Sequence, residues 1–159
     1  MKVRLEVDIA SQLMVLLEHG RPAGVYRVST SRHGVGERQG SFKTPRGRHI
    51  VRAKIGAGAP LGAVFRARRP TGEIWSPELA AAQPGRDFVL TRILWLSGTE
   101  VGRNRLGDVD TMRRYIYIHG APDGEPMGEP RSIGCIRMHN VELVELFDRV
   151  PVGTVVDIA

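Results

Sequence analysis

The chain holds one thiol, Cys135, within the run Ser132-Ile133-Gly134-Cys135-Ile136-Arg137-Met138. A thiol is a strong nucleophile only as thiolate, so it needs a base or a positive field beside it. His119 ends the alternating run Tyr115-Ile116-Tyr117-Ile118-His119-Gly120. That run reads as a strand with Tyr115, Tyr117 and His119 on one face. A strand-end imidazole close to the thiol would supply the base. Gly134 allows a tight turn just before Cys135, and such a turn can aim successive N–H groups at one point, as in an oxyanion hole. The plain alternative is a cysteine packed inertly among Ile133, Ile136 and Met138, with His119 a hydrogen-bonded structural residue. One cysteine with scattered histidines offers no zinc-ligand spacing and no internal disulfide.

Elements must bring these residues together. Residues 2–7 alternate, with Val3, Leu5 and Val7 on one side, and read as a half-buried strand. Gln12 to Leu17 and Val25 to Ser29 follow as strands across the turn Glu18-His19-Gly20-Arg21-Pro22, which makes the opening a β-meander. Gly34 to Gly47 is a polar loop, Arg48 to Ile55 a strand, and Phe88 to Leu96 a buried strand. Gly56-Ala57-Gly58-Ala59-Pro60-Leu61-Gly62 lacks the Gly-Lys-Ser/Thr ending of a phosphate loop and reads as a plain loop. Ser97 to Thr111 is a long connection, of a length that is often functional. Asn140 is placed to cap a helix with Glu142 in its first turn and Val141, Val144, Phe147 and Val150 at helical spacing. Pro151-Val152-Gly153 stops that helix, and Thr154 to Ile158 is a closing strand. The expectation is one mainly β domain over 1–159 with one short helix near its end.

Composition agrees. The 19 Gly and 10 Pro among 159 residues imply many turns. The formal charge of +6 could suggest nucleic acid, but the arginines are scattered, with adjacent pairs only at Arg68–Arg69 and Arg113–Arg114. No run reaches the ~18 apolar residues of a membrane span. The first residues, Met1 to Asp8, hold no apolar core of signal-peptide length. A cytoplasmic location is therefore expected, or a periplasmic one if an upstream signal has been removed.

The segment from Ile118-His119-Gly120 through Ser132-Ile133-Gly134-Cys135-Ile136-Arg137-Met138 resembles the catalytic signature of the L,D-transpeptidase (YkuD-type) family. There a His-Gly pair precedes a Ser/Thr-His-Gly-Cys-x-Arg motif. Gln12-Leu13-Met14-Val15, Val28-Ser29-Thr30, Thr44-Pro45-Arg46-Gly47 and Leu146 to Thr154 are similar to further family elements, in the family's order. Ile133 departs from the pattern, standing where the family usually has His.

The resemblance implies a mixed β-sandwich or barrel-like catalytic domain with no cofactor and no metal. It makes Cys135 the nucleophile and His119 the base, with the Gly120 carbonyl orienting the ring. Backbone N–H groups at the Ser132–Gly134–Cys135 turn would hold the oxyanion. Arg137 would bind a substrate carboxylate or fix the loop by backbone bonds. Tyr117 and Ile133 would line the cleft, and Asp123, Glu125 and Glu129 either receive a substrate amine or form a solvated loop. The implied partner is a peptidoglycan stem tetrapeptide with a meso-diaminopimelate-type residue and a terminal D-Ala. Lacking an export signal, the chain is expected to act as an L,D-carboxypeptidase in murein recycling. The alternatives are a cross-linking L,D-transpeptidase and a non-catalytic murein-peptide binding module.

Overall fold

The computed structural model describes residues 2–159. The apolar alternation of the opening residues becomes three antiparallel strands: β1 (Val3–Asp8), β2 (Leu13–Glu18) and β3 (Arg21–Arg27). Then come β4 (Gly47–Ile55), β5 (Ala63–Arg66), β6 (Arg69–Ile74), a short helix α1 (Pro77–Ala82), β7 (Val89–Gly98) and β8 (Tyr117–Gly120). The chain closes with β9 (Ile136–Met138), α2 (Asn140–Arg149) and β10 (Val155–Ile158). The fold is thus mainly β with one longer helix near the C-terminus, as expected. The β5–β6 hairpin and α1 were not anticipated. β6 is mostly exposed and carries Pro70 and Gly72, so it shows neither alternation nor strand propensity.

All ten strands join one mixed sheet, with path β3-β2-β1-β10-β4-β7-β5-β6. β1 and β10 pair in parallel near the middle, so the two ends of the chain lock together. β8 and β9 branch from this path: β8 runs antiparallel to β7, and β9 runs parallel to β8. The main core lies between the sheet and α2 and contains Leu5, Leu16, Leu94, Leu96, Ile118, Ile136, Met138, Leu143, Leu146 and Phe147. On the other face of β7 and β8, a smaller cluster of Phe65, Ile93 and Tyr117 packs against Cys135. Pleat alternation explains the split: Ile118 points to the helix, whereas Tyr117 and His119 point away from it. No helix among the described residues is long and apolar enough to cross a membrane.

α2 differs from expectation in two respects. His139 holds the N-cap position without a side-chain cap bond, and Asn140 is the first helical residue with its side chain turned inward. The buried stripe is Asn140, Leu143, Leu146 and Phe147, continued by Val150, while Val141 is exposed. Two apolar stripes compete on this helix, and the one carrying Leu143 and Leu146 buries the larger side chains.

Candidate active site

Register places His119 on β8 and Cys135 immediately before β9, the strand beside it. His119 pairs with Arg137 across β8 and β9, so Cys135 lies two residues upstream of the residue facing His119. The Tyr117 N–H donates to Cys135 Sγ at 3.3 Å, and the thiol donates to Tyr115 O at 3.4 Å.

The turn before Cys135 is built by its neighbours. Gly134 has φ +138°, where a side chain is strained, and a Cβ there would lie 3.1 Å from Ile116 Cδ1. Ser132 Oγ donates to Cys135 O at 2.6 Å and accepts from the Gly134 N–H at 3.2 Å. Thr44 Oγ1 donates to Gly134 O at 2.9 Å and accepts from the Ser31 N–H at 2.9 Å. The polar loop thereby clamps the nucleophile turn. Ser29 exchanges both backbone hydrogen bonds with Arg137, which gives the Val28-Ser29-Thr30 run its structural meaning. The Gly134 N–H, expected to face an oxyanion, is occupied by Ser132 Oγ, because the hydroxyl reaches forward two residues.

His119 is wholly buried. Its Nδ1–H donates to Gly120 O at 2.6 Å, and Nε2 has no partner among the described residues. That bond fixes the tautomer and leaves Nε2 as the free basic nitrogen. Burial pushes the His119 pKa down, opposed by the nearby Asp87 carboxylate and the Gly120 bond. Burial pushes the Cys135 thiol up to about 12, opposed by the Tyr117 N–H and by the Arg137 and Arg114 cations. Both groups therefore rest uncharged at neutral pH.

Other expected residues have different surroundings from those anticipated. Tyr117 is buried edge-on to Trp95, 6.1 Å between centroids, and its hydroxyl accepts from Arg68 at 3.1 Å. Tyr115 does not share its face: it stands outside β8 with φ +57° and is exposed. The Arg137 side chain fixes loops through carboxylates, not through backbone carbonyls. Its guanidinium donates to Asp87 at 2.6 Å and Glu125 at 2.9 Å. Glu125 Oε2 is buried without a partner, and burial raises its pKa. Asp123 accepts from Asn140 at 3.3 Å, and Glu129 pairs with Arg131 at 2.9 Å.

A groove of about 520 Å³ is lined by Ile133 and Arg137, which flank Cys135 in sequence, and by Arg32, Arg86, Asp87 and Glu125, while Cys135 and His119 are not among its lining residues. Asp87, Arg68 and Arg114 were missed in the sequence. Asp87 lies in a loop with no pattern around it. Arg68 and Arg114 belong to the two arginine doublets, and nothing in a doublet shows which member turns inward. Arg114 donates to Gly36 O at 3.2 Å and also to Lys43 O, holding the clamping loop beside the thiol.

Residues 2–158 match the family of the L,D-transpeptidase catalytic domain, YkuD. The chain belongs to this family. Within it, YqjB of Bacillus subtilis (strain 168), which carries an L,D-transpeptidase name, is 56% identical over 41 residues, 26% of this chain and 23% of its own length. Among solved structures, an L,D-transpeptidase from Mycobacterium smegmatis has a TM-score of 0.59 at 20% identity, covering 99% of this chain and 58% of that one. L,D-transpeptidase 3 from Mycobacterium tuberculosis, in complex with a faropenem-derived adduct, has a TM-score of 0.61 at 18% identity, with 99% and 60% covered. At these identities the likeness is one of fold. The chain spans about three-fifths of the length of these solved structures.

Proposed function

We propose that this chain is a cysteine acyl-enzyme that cleaves the L,D bond before the terminal D-Ala of a peptidoglycan stem tetrapeptide. The observation that carries this reading is the pair at β8 and the turn leading into β9: a thiol held by the Tyr117 N–H, and a buried imidazole whose Nε2 has no partner among the described residues. His119 Nε2 takes the Cys135 proton as Sγ attacks the carbonyl of the diaminopimelate-type residue. The Cys135 N–H, next to the occupied Gly134 N–H, donates to the oxyanion. Collapse breaks the peptide bond, and the imidazolium gives its proton to the departing D-Ala amine. A thioester remains. Water, deprotonated by His119, releases the tripeptide carboxylate and restores the thiol.

Water is the proposed acceptor because Cys135 is only partly buried and the groove lined by its sequence neighbours Ile133 and Arg137 is open and charged, with Arg32 and Arg131 exposed. A thioester facing solvent hydrolyses unless an amine is ordered and water excluded. The family's description favours the second reading, an amine acceptor and cross-linking. Tetrapeptide incubated with and without an amine acceptor separates them. The expected product is tripeptide plus D-Ala in both cases, read by mass. Predominance of cross-linked dimers would replace hydrolysis with transpeptidation.

A further inference from the structure

The carbonyl that orients His119 belongs to Gly120, and Gly120 is held from the helix side of the sheet. A Cβ at Gly120 would meet Asn140 Oδ1 at 2.1 Å and Leu90 O at 2.7 Å, so Asn140 lies directly against this residue. Asn140, almost fully buried at the start of α2, donates from Nδ2 to Ala121 O at 2.9 Å. Its Oδ1 accepts from Thr91 Oγ1 at 2.6 Å, and Thr91 Oγ1 accepts from the Gly62 N–H at 3.0 Å. Thr91 is fully buried at the irregularity in the β7–β8 register and has φ +76°. A β-branched residue in that region is a strained outlier, and strain persists where surrounding bonds over-determine it.

These contacts converge on Gly120 and Ala121: Asn140 packs against Gly120, whose carbonyl orients His119, and bonds the carbonyl of the next residue. We infer that Asn140 and Thr91 are a positioning pair for the base: together they fix the Gly120–Ala121 segment so that its carbonyl holds the His119 ring with Nε2 free. The inference rests on the acyl-transfer reading, because it gives His119 the task of accepting the thiol proton. As that proton arrives, the imidazolium forms, and its Nδ1–H needs the carbonyl aligned. Without the pair the strand end relaxes, the imidazolium loses a well-directed acceptor, and the thiolate forms less readily. The charged groups facing His119 are Asp87 from the loop before β7 and Arg137 from β9, and neither bonds to Asn140 or Thr91. Asp123 does accept from Asn140, so Thr91 variants leave that carboxylate undisturbed.

The test is the pH profile of iodoacetamide alkylation of Cys135, which needs no knowledge of the substrate. His119→Ala sets the limit of an unassisted buried thiol. Thr91→Val and Asn140→Ala are expected to move the alkylation midpoint up by about one pH unit, with a roughly tenfold slower rate at neutral pH. Thr91→Ser, which keeps the hydroxyl, stays with the wild type. Profiles of Thr91→Val and Asn140→Ala that coincide with the wild type overturn the inference, even if their unfolding midpoints fall. A shift in Thr91→Ser equal to that in Thr91→Val also overturns it. Should Asn140→Ala fail to fold, the two Thr91 variants decide alone. A wild-type profile identical to that of His119→Ala sinks the acyl-transfer reading itself, and the pairing with it.

Discussion

At the scale of single residues, the proposed site is a thiol and an imidazole that both rest uncharged. A thiol pushed up to about 12 by burial is a poor nucleophile by itself. It becomes competent when its proton can move to an imidazole whose second nitrogen is already held. His119→Ala is therefore expected to lower turnover by roughly 10²–10⁴-fold, the usual range for a positioned base. The variant should fold, since His119 makes its one side-chain bond to its own neighbour, Gly120. Steady-state turnover of tetrapeptide with circular dichroism as a control checks this, and full activity in a folded variant would assign the base elsewhere. That His119, Ser132, Gly134 and Cys135 fall near one another was legible, because a strand end and a tight turn at that spacing place them so. Arg137 was only half legible. Its position after the nucleophile was visible, but its carboxylate partners Asp87 and Glu125 come from separate loops.

At the scale of elements, β1 was readable from its alternation and β7 from its apolar run, and these two and β4 were placed to within a residue or two. β5–β6 was not, because an exposed hairpin carries no burial pattern. α2 was read as a helix but rotated, since Val141 and Val144 mimic a stripe that Leu143 and Leu146 fill. The long connection after β7 is tied down by a histidine that had no expected role. His49, fully buried in β4, donates from Nδ1 to Gly47 O at 3.0 Å and accepts at Nε2 from Thr111 at 2.9 Å. Burial lowers its pKa to about 4. The folded value is thus below the unfolded one of roughly 6.5, so between these values the unfolded chain binds more protons. Stability is full above that window and falls as pH drops through it, by about 3 kcal/mol for this one group. His119 contributes with the same sign. Thermal unfolding midpoints of wild type and His49→Gln between neutral pH and about pH 4 check the point. The variant should lose less stability over that range, and an unchanged slope would show that His49 does not govern it.

At the scale of the whole molecule, topology explains why residues distant in sequence serve one site. β8 and β9 are short strands added beside β7. The runs Val28-Ser29-Thr30 and Thr44-Pro45 lie along the far side of β9 and clamp its leading turn. α2 closes the opposite face and reaches through Asn140 to Gly120, the last residue of β8. The proposed nucleophile is therefore held by the early loop, and the proposed base is flanked by the late helix and β7. The sequence order of these motifs was visible, but their convergence was not, because it depends on β8 and β9 branching from the sheet. All of it serves the claim that Cys135 becomes acylated with help from His119. The most direct measurement is intact-mass spectrometry after exposure to faropenem. One covalent adduct per chain is expected for the wild type, with much slower formation in His119→Ala and none in Cys135→Ala. An adduct that forms equally well in Cys135→Ala would contradict the account.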